Sequence, residues 1–206
     1  MTVQACVQIF VSLFVLVNPL EGIPFFLART GGTSAATRAS IAYQASIAVT
    51  VILLVSCVVG AKVLELFGIH LPAFQVGGGI ILFLIALQMT LVGVSSEKSG
   101  AVPTDHDGGA SIAIVPLAIP LLGGPGAISG AILYGTRTGS PSELAILCVL
   151  CLLVGVATFA SLRAAEWIRT VLGNTGISIA TRLMGLLIAA IAVQLTVEGL
   201  LALIRS

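Results

Sequence analysis

The sequence predicts an all-α, polytopic membrane protein of six spans, built as two inverted three-helix repeats whose first and fourth helices are discontinuous. Composition predicts the membrane: 58% of the 206 residues are hydrophobic and 8% are charged, whereas soluble domains average roughly 45–50% apolar and about 25% charged residues. Six uncharged runs predict the number of spans, and a repeated proline–glycine motif predicts the duplication. A formal net charge of +1 gives no indication of a nucleic-acid partner.

The six spans follow from run length, because a helix needs about 20 apolar residues to cross a hydrocarbon core of about 30 Å. The second, third and fifth runs predict continuous helices, and Ser140 to Glu143 opens the fifth with a capping box. The sixth is long enough only if Arg182 and Glu198 snorkel at its ends. The runs are 1–20, 39–61, 71–96, 108–136, 144–162 and 183–197.

The first and fourth runs are each interrupted by two prolines five residues apart. Pro19 and Pro24 interrupt the first run, and Pro120 and Pro125 interrupt the fourth. A proline inside a helix costs about 3 kcal/mol, so each pair predicts a broken helix. Broken backbone in lipid is tolerated only where protein or a water-filled cavity satisfies it, and both breaks are therefore predicted to face the protein interior. The alternative is that the nearby glycines only permit tight helix packing.

The two breaks share the pattern P-x-x-G-x-P at an offset of 101 residues, and three further matches follow in the same order. These matches predict a duplication with three spans in each half. Because an odd number of spans reverses membrane orientation, the two repeats are predicted to be inverted. We expect one membrane domain, with a first repeat over 1–94, a polar connecting loop over 95–110 and a second repeat over 111–206. The further matches are 29–31 with 137–139, 68–69 with 176–177, and 86–89 with 192–195.

Loop charges predict the orientation, because cytoplasmic loops carry the excess of lysine and arginine. With six spans, one side carries six basic residues and the other side carries three. The first side is predicted to be cytoplasmic, which places both termini in the periplasm. The first set is Arg29, Arg38, Lys98, Arg163, Arg169 and Arg182, and the second is Lys62, Arg137 and Arg205.

Two broken helices predict a small polar chamber inside an apolar bundle. Each break exposes unpaired N–H groups at one half-helix and unpaired C=O groups at the other, which carry about half an elementary charge each. The N–H end suits a carboxylate and the C=O end suits an ammonium group or a cation. A zwitterionic amino acid offers both charges, and the glycines keep the pocket small. We therefore predict a small amino acid as substrate.

A few polar residues are candidates to act in the chamber. Asn18 lies in the first break, to cap a half-helix or contact substrate, and Glu21 carries a coupling proton or cation unless it lies in water at the mouth. Ser129 either contacts substrate or bonds its own helix, and Gln88 and Gln194 either bridge helices or line a path. The predicted substrate-binding residues are Asn18, Pro19, Glu21, Gly22, Pro24, Gln88, Pro120, Gly123, Gly124, Pro125, Gly126, Ser129 and Gln194.

Enzymatic motifs are missing from the sequence. It holds no H-E-x-x-H and no G-x-S-x-G, so we expect no enzyme, no catalytic residue, no metal and no cofactor. Cys148 and Cys151 have redox spacing, but their apolar surroundings favour plain packing. The sequence does not decide the oligomeric state.

Four stretches that include both break motifs resemble the MarC family of bacterial inner-membrane proteins, also called the neutral amino acid transporter family. The resemblance implies six spans and the export or uptake of glycine, alanine, serine or threonine, coupled to a proton or an ion. We expect alternating access, with a passive channel or a membrane assembly factor without flux as the alternatives. The residues carried over are Asn18, Pro19, Gly22, Pro24, Pro120, Gly123, Pro125, Gly126 and Arg182. The stretches are VNPLEGIPFFL (17–27), GIHLPAFQVGGGIILFLIALQM (68–89), VPLAIPLLGGPGAISGAILYG (115–135) and TGISIATRLMGLLIAAIAVQ (175–194).

Overall fold

The computed structural model describes residues 1–91 and 122–205, and the chain is helical throughout these two ranges, with no strand in either. The prediction of an all-α protein is therefore confirmed for the described residues. The helices are α1 Val3–Val17, α2 Pro19–Thr30, α3 Ala35–Leu66, α4 Leu71–Leu91, α5 Pro125–Thr136, α6 Pro141–Arg163 and α7 Ala165–Arg205.

Five segments of the described residues are long and apolar enough to cross a membrane. Of the fourth predicted span, 108–136, the structure describes the last part, which contains the 12-residue helix α5. The predicted connecting loop, 95–110, lies outside the described residues. The fourth span, and with it the total of six, and the repeat organisation stay predictions. The five segments are Val3–Leu27, Ala35–Leu66, Leu71–Leu91, Pro141–Arg163 and Thr175–Arg205.

The start of α6 shows the predicted cap in a modified form. Ser140 Oγ accepts the backbone N–H of Glu143 at 3.4 Å, as a capping box requires. The Glu143 carboxylate accepts the N–H of Gly139 at 2.9 Å, one residue before the cap. Pro141 occupies the first helical position, where a missing N–H costs nothing.

A glycine divides α7 into two parts. Gly173 has φ 64° and ψ 179° inside an otherwise continuous helical stretch, a conformation that glycine adopts without a steric penalty. A short segment, 165–172, therefore precedes the membrane-crossing segment that begins at Thr175.

The bundle has two apolar cores. One draws residues from α1, α2, α3, α5, α6 and α7 and lies around fully buried Leu13, Leu53 and Leu147. The other lies between α4 and α7 around Leu82, Ile188 and Ala192. The outward faces of the long helices carry exposed aliphatic side chains, including Val55 and Leu152, as the surface of a bundle in lipid does. Cys151 belongs to the first core and Cys148 packs against it, which agrees with the packing role predicted for this cysteine pair.

Helices α4 and α7 make two reciprocal close contacts. A Cβ atom at Gly79 would meet Thr196 Oγ1 and would lie 2.8 Å from the Ala192 carbonyl oxygen. A Cβ atom at Gly185 would lie 2.8 Å from Thr90 Oγ1 and 3.1 Å from the Ala86 carbonyl oxygen. The early part of each helix thus meets the late part of the other, so α4 and α7 pack antiparallel with their backbones in contact.

Three ion pairs join the helix ends into two groups. The N-terminal ammonium group of Met1 lies 3.3 Å from Glu143 Oε1, and Arg137 pairs with Glu198. These contacts put the N-terminus, the α5–α6 turn and the end of α7 together. Arg38 pairs with Glu166, so the start of α3 and the start of α7 form the other group.

Candidate functional site at the helix breaks

In the first break, residues 18–24, the helix is interrupted at one residue, Asn18, which lies between the end of α1 and the start of α2. Its backbone is left-handed, with φ 47° and ψ 62°, and its N–H donates to the Phe14 carbonyl oxygen at 2.9 Å. Pro19 takes the first position of α2, where proline is favoured. Pro24 lies inside α2. The interruption of the helix is therefore shorter than the two prolines predicted, because α2 begins at Pro19 and continues through Pro24.

The Asn18 side chain joins three elements at the break. It is 4% exposed, and its Nδ2 donates to Glu21 Oε2 at 3.0 Å and to Met89 Sδ of α4 at 3.9 Å. Its Oδ1 is buried and has no hydrogen-bond partner within the described chain. The reverse amide orientation would point Oδ1 at the Glu21 carboxylate, so this orientation is the favourable one. An unpaired buried carbonyl costs about 1–3 kcal/mol, and a ligand that donates a proton or a positive charge would relieve this cost.

Glu21 lies in the first turn of α2, where the helix dipole favours a negative charge. Its side chain is half-buried, and among the described residues no basic side chain pairs with it. The carboxylate is therefore held by the Asn18 amide and by the start of α2. The structure places the acid in the break itself, beside the buried amide.

The described part of the second break lies against the first. Gly124 precedes α5 as its N-cap without a side-chain hydrogen bond, and Pro125 takes the first helical position. Leu122 is fully buried, and its Cδ2 would lie 3.0 Å from a Cβ atom at Gly22. The two breaks, about 100 residues apart in sequence, are thus in van der Waals contact. Pro120 lies outside the described residues.

The start of α5 leaves backbone donors at this contact. The first N–H groups of a helix have no partner within it, and Gly124 supplies no side chain to accept them. Gly126 and Ala127, which carry two of these groups, are buried. A buried, uncapped helix N-terminus favours an anion such as a carboxylate.

Two of the predicted residues of α5, Gly126 and Ser129, pack against α4. Gly126 lies against Leu82 of α4, and Ser129 is buried with its Oγ 2.8 Å from a Cβ position at Gly78. Gly123 is buried and Pro125 is exposed. Tight packing accounts for Gly126, as the alternative interpretation of these glycines expected.

The two glutamines are not brought to the breaks. Gln88 and Gln194 are both exposed on the outer surface of the bundle, and Gln194 Nε2 donates to Glu198 Oε1 at 2.9 Å. Two residues that sequence reasoning passed over take part instead, namely Met89 at Asn18 and Leu122 at Gly22. Met89 is adjacent to Gln88 in the repeated stretch, and only the rotation of α4 decides which of the two turns inward.

Comparison with known proteins gives a consistent family match. A model described as MarC family integral membrane protein matches residues 3–204. UPF0056 membrane protein YhcE from Escherichia coli strain K12 is 38% identical over 94% of this chain and 90% of its own length. UPF0056 membrane proteins from Aquifex aeolicus and Pyrococcus abyssi are 36% and 33% identical, over 97% and 93% of this chain and 94% and 92% of their own lengths. No solved structure matches the chain significantly.

Proposed function

The chain belongs to the MarC family of integral membrane proteins, and from this premise we propose that it is a secondary transporter of small neutral amino acids. Glycine, alanine, serine and threonine form the proposed substrate class, carried inward or outward by alternating access. One observation carries the proposal: the first break, with its unpaired Asn18 Oδ1, lies against the second break, with its uncapped helix start. A zwitterionic amino acid carries an ammonium group that can donate to Asn18 Oδ1 and a carboxylate that suits the start of α5.

The two ends orient the substrate. Glu21 already occupies the start of α2, so the carboxylate of an amino acid is directed to the start of α5, at Gly126 and Ala127. The ammonium group then faces Asn18 Oδ1 and the Glu21 carboxylate, both of which accept hydrogen bonds. In this orientation, Asn18 Oδ1 and the N–H groups of Gly126 and Ala127 each gain a hydrogen-bond partner.

The contact between Gly22 and Leu122 favours a small substrate. Leu122 lies so close to Gly22 that an added Cβ atom would be 3.0 Å from it. The breaks are closed in this arrangement, and the Leu122 side chain must withdraw before a substrate enters. The volume that one leucine side chain vacates holds only a few heavy atoms. Glycine and alanine are small enough to occupy it.

Glu21 is the proposed carrier of the coupling proton or cation. A half-buried carboxylate without a basic partner in a membrane protein is stable only when it is protonated, hydrated or paired with a cation. Its bond to Asn18 links its charge state to the residue that faces the substrate ammonium group. Binding of the proton or cation to Glu21 and binding of the substrate are therefore coupled through the Asn18 side-chain amide.

We further propose six spans and two inverted repeats. The residues of the two contacts correspond at one offset of 106 positions: Gly79 to Gly185, Ala86 to Ala192 and Thr90 to Thr196. Both threonines donate to the carbonyl four residues earlier at 2.8 Å. A two-fold axis that exchanges two antiparallel helices is perpendicular to them, which in a bilayer is the arrangement of inverted repeats. This reciprocity supports the duplicated architecture.

The proposed location is the bacterial inner membrane, with both termini in the periplasm. The ion pairs place Arg38 near the α6–α7 junction, which carries Arg163 and Arg169. With Arg29 and Arg182, that end holds five of the basic residues in the described ranges, against three at the other. The excess favours the five-residue end as cytoplasmic. Lys98 lies outside the described residues.

A passive channel and a membrane assembly factor are the alternative functions, and an enzyme is not proposed. A carrier saturates and exchanges its substrate across the membrane, a channel conducts without saturation, and an assembly factor gives no flux. The contact of the two breaks favours the carrier, because it brings the start of α2 against the segment that leads into the uncapped start of α5.

Counterflow in proteoliposomes tests the proposal. Vesicles loaded with unlabelled glycine, alanine or threonine should accumulate the labelled amino acid, and Gly22→Leu or Gly123→Leu should abolish this accumulation. Gly77→Leu is the matched control, since a Cβ atom at this exposed glycine of α4 would meet nothing within 4 Å. Undiminished counterflow in the Gly22 and Gly123 variants would remove the break from the transport path, and absent counterflow in the unmodified protein would refute the carrier.

A further inference from the structure

A second polar site lies at the end of α2, well away from the break. A cavity of about 590 Å³ lies between the end of α2, the start of α3 and the first segment of α7. Glu21 and Thr30 are nine residues apart on α2, so this cavity is about 13 Å from the break along the helix axis. The side chains that carry charge into it are Arg38, Glu166 and Arg169.

The charges of this cavity do not balance. Arg38 pairs with Glu166, but the Arg38 Nε–H is buried without a hydrogen-bond partner in the described chain. Arg169 also lines the cavity, and within the described ranges it forms no ion pair. The described side chains that line the cavity therefore include two guanidinium groups and one carboxylate, a net charge of +1.

The backbone adds to this positive field. Arg38 lies in the first turns of α3, which begins at Ala35, and Arg169 lies in the first turns of α7, which begins at Ala165. Helix N-termini carry about half a positive charge each, so both arginines are at the positive ends of their helices. At the end of α2, the Thr30 carbonyl oxygen accepts bonds from the N–H and the hydroxyl of Thr33.

We propose that this cavity binds a phosphate group, with the Arg38 and Arg169 guanidinium groups as its donors. A planar guanidinium matches two phosphate oxygens at once, and the volume admits a phosphate with its substituents. The phosphate comes either from the head group of an anionic phospholipid or from a free phosphate in solution. The arginine-rich end of the bundle favours the lipid, because basic pockets between helices at the cytoplasmic surface bind anionic head groups.

Binding to the full-length protein in detergent tests the site. Dioleoylphosphatidylglycerol, dioleoylphosphatidylcholine and inorganic phosphate are titrated separately, with thermal unfolding and native mass spectrometry as readouts. Greater stabilisation by phosphatidylglycerol than by phosphatidylcholine identifies a lipid head group as the ligand. Stabilisation by inorganic phosphate identifies a free phosphate as the ligand. Either result supports the site. No stabilisation by phosphatidylglycerol or inorganic phosphate beyond that by phosphatidylcholine would overturn it.

Arginine variants locate the binding. Arg169→Gln should weaken it about tenfold, as loss of a charge-assisted hydrogen bond does, and this variant disrupts no ion pair of the described chain. Arg38→Gln should weaken it as well, but it also removes the pair with Glu166. Arg163→Gln at the end of α6 is the matched control, since Arg163 belongs to the same end but does not line the cavity. Equal weakening by Arg163→Gln and Arg169→Gln would overturn the site.

Discussion

The contact between Gly22 and Leu122 makes a prediction that joins stability to transport. Gly22→Leu introduces a side chain where a Cβ atom alone would lie 3.0 Å from Leu122 Cδ2. Overpacking of this kind costs about 1–3 kcal/mol. Leu122 is fully buried, so Leu122→Ala in turn costs about 2–5 kcal/mol through lost burial and a cavity. Each single variant should therefore unfold more readily than the unmodified protein.

The double variant should recover part of both losses. The leucine added at position 22 occupies the volume that Leu122→Ala vacates, so the two effects should not add. Residues in direct contact show coupling energies of about 0.5–3 kcal/mol, and we expect a favourable coupling within this range. Unfolding in mixed detergent micelles with increasing denaturing detergent measures the free energies, and glycine counterflow measures transport. Counterflow should be lost in Gly22→Leu and partly restored in the double variant.

The matched comparison pairs Gly77→Leu with Leu122→Ala. Gly77 is exposed and open, so that double variant should show no coupling and no restoration. Additive free energies for Gly22→Leu and Leu122→Ala would refute the direct contact between the breaks. Unaltered counterflow in Gly22→Leu would show that the breaks do not part during transport.

Three further predictions concern the break and the helix pair. Asn18→Gly should keep the left-handed backbone and lose the bond to Glu21. Asn18→Ala should lower the free energy of unfolding by about 1–2 kcal/mol more than Asn18→Gly, because alanine is strained in the left-handed conformation. Equal thermal stability of the two variants would contradict this strain. Glu21→Gln should retain glycine counterflow, but a proton or cation gradient should no longer drive the accumulation of glycine against its own concentration gradient. Undiminished accumulation would exclude Glu21 as the coupling residue. Gly79→Ala and Gly185→Ala should each destabilise the protein by about 1–3 kcal/mol, because a Cβ atom meets backbone or threonine oxygens of the facing helix. Gly77→Ala serves as their control in detergent unfolding, and equal stability of all three variants would disprove the close packing of α4 and α7.

The membrane class, most helix positions and the place of the first break were readable from the sequence. These features depend on local chemistry. Apolar runs must span the hydrocarbon core, and Pro19 cannot continue the preceding helix, so α1 ends before Asn18 and α2 begins at Pro19. The extent of the break was less readable. Two prolines predicted an interruption up to Pro24, but α2 accommodates Pro24 and the interruption shrinks to one left-handed residue.

Tertiary structure alone decided which residues meet at the breaks. The long helices are apolar on every side, so no amphipathic pattern indicates which face turns inward. Sequence reasoning therefore chose the polar residue Gln88, whereas the rotation of α4 turns Met89 toward Asn18 and leaves Gln88 outside. Leu122 has no polar atom to mark it, and its position on Gly22 depends on how two segments about 100 residues apart pack. Hydropathy in a membrane protein specifies which segments enter the bilayer, while close packing between helices specifies which faces form the site.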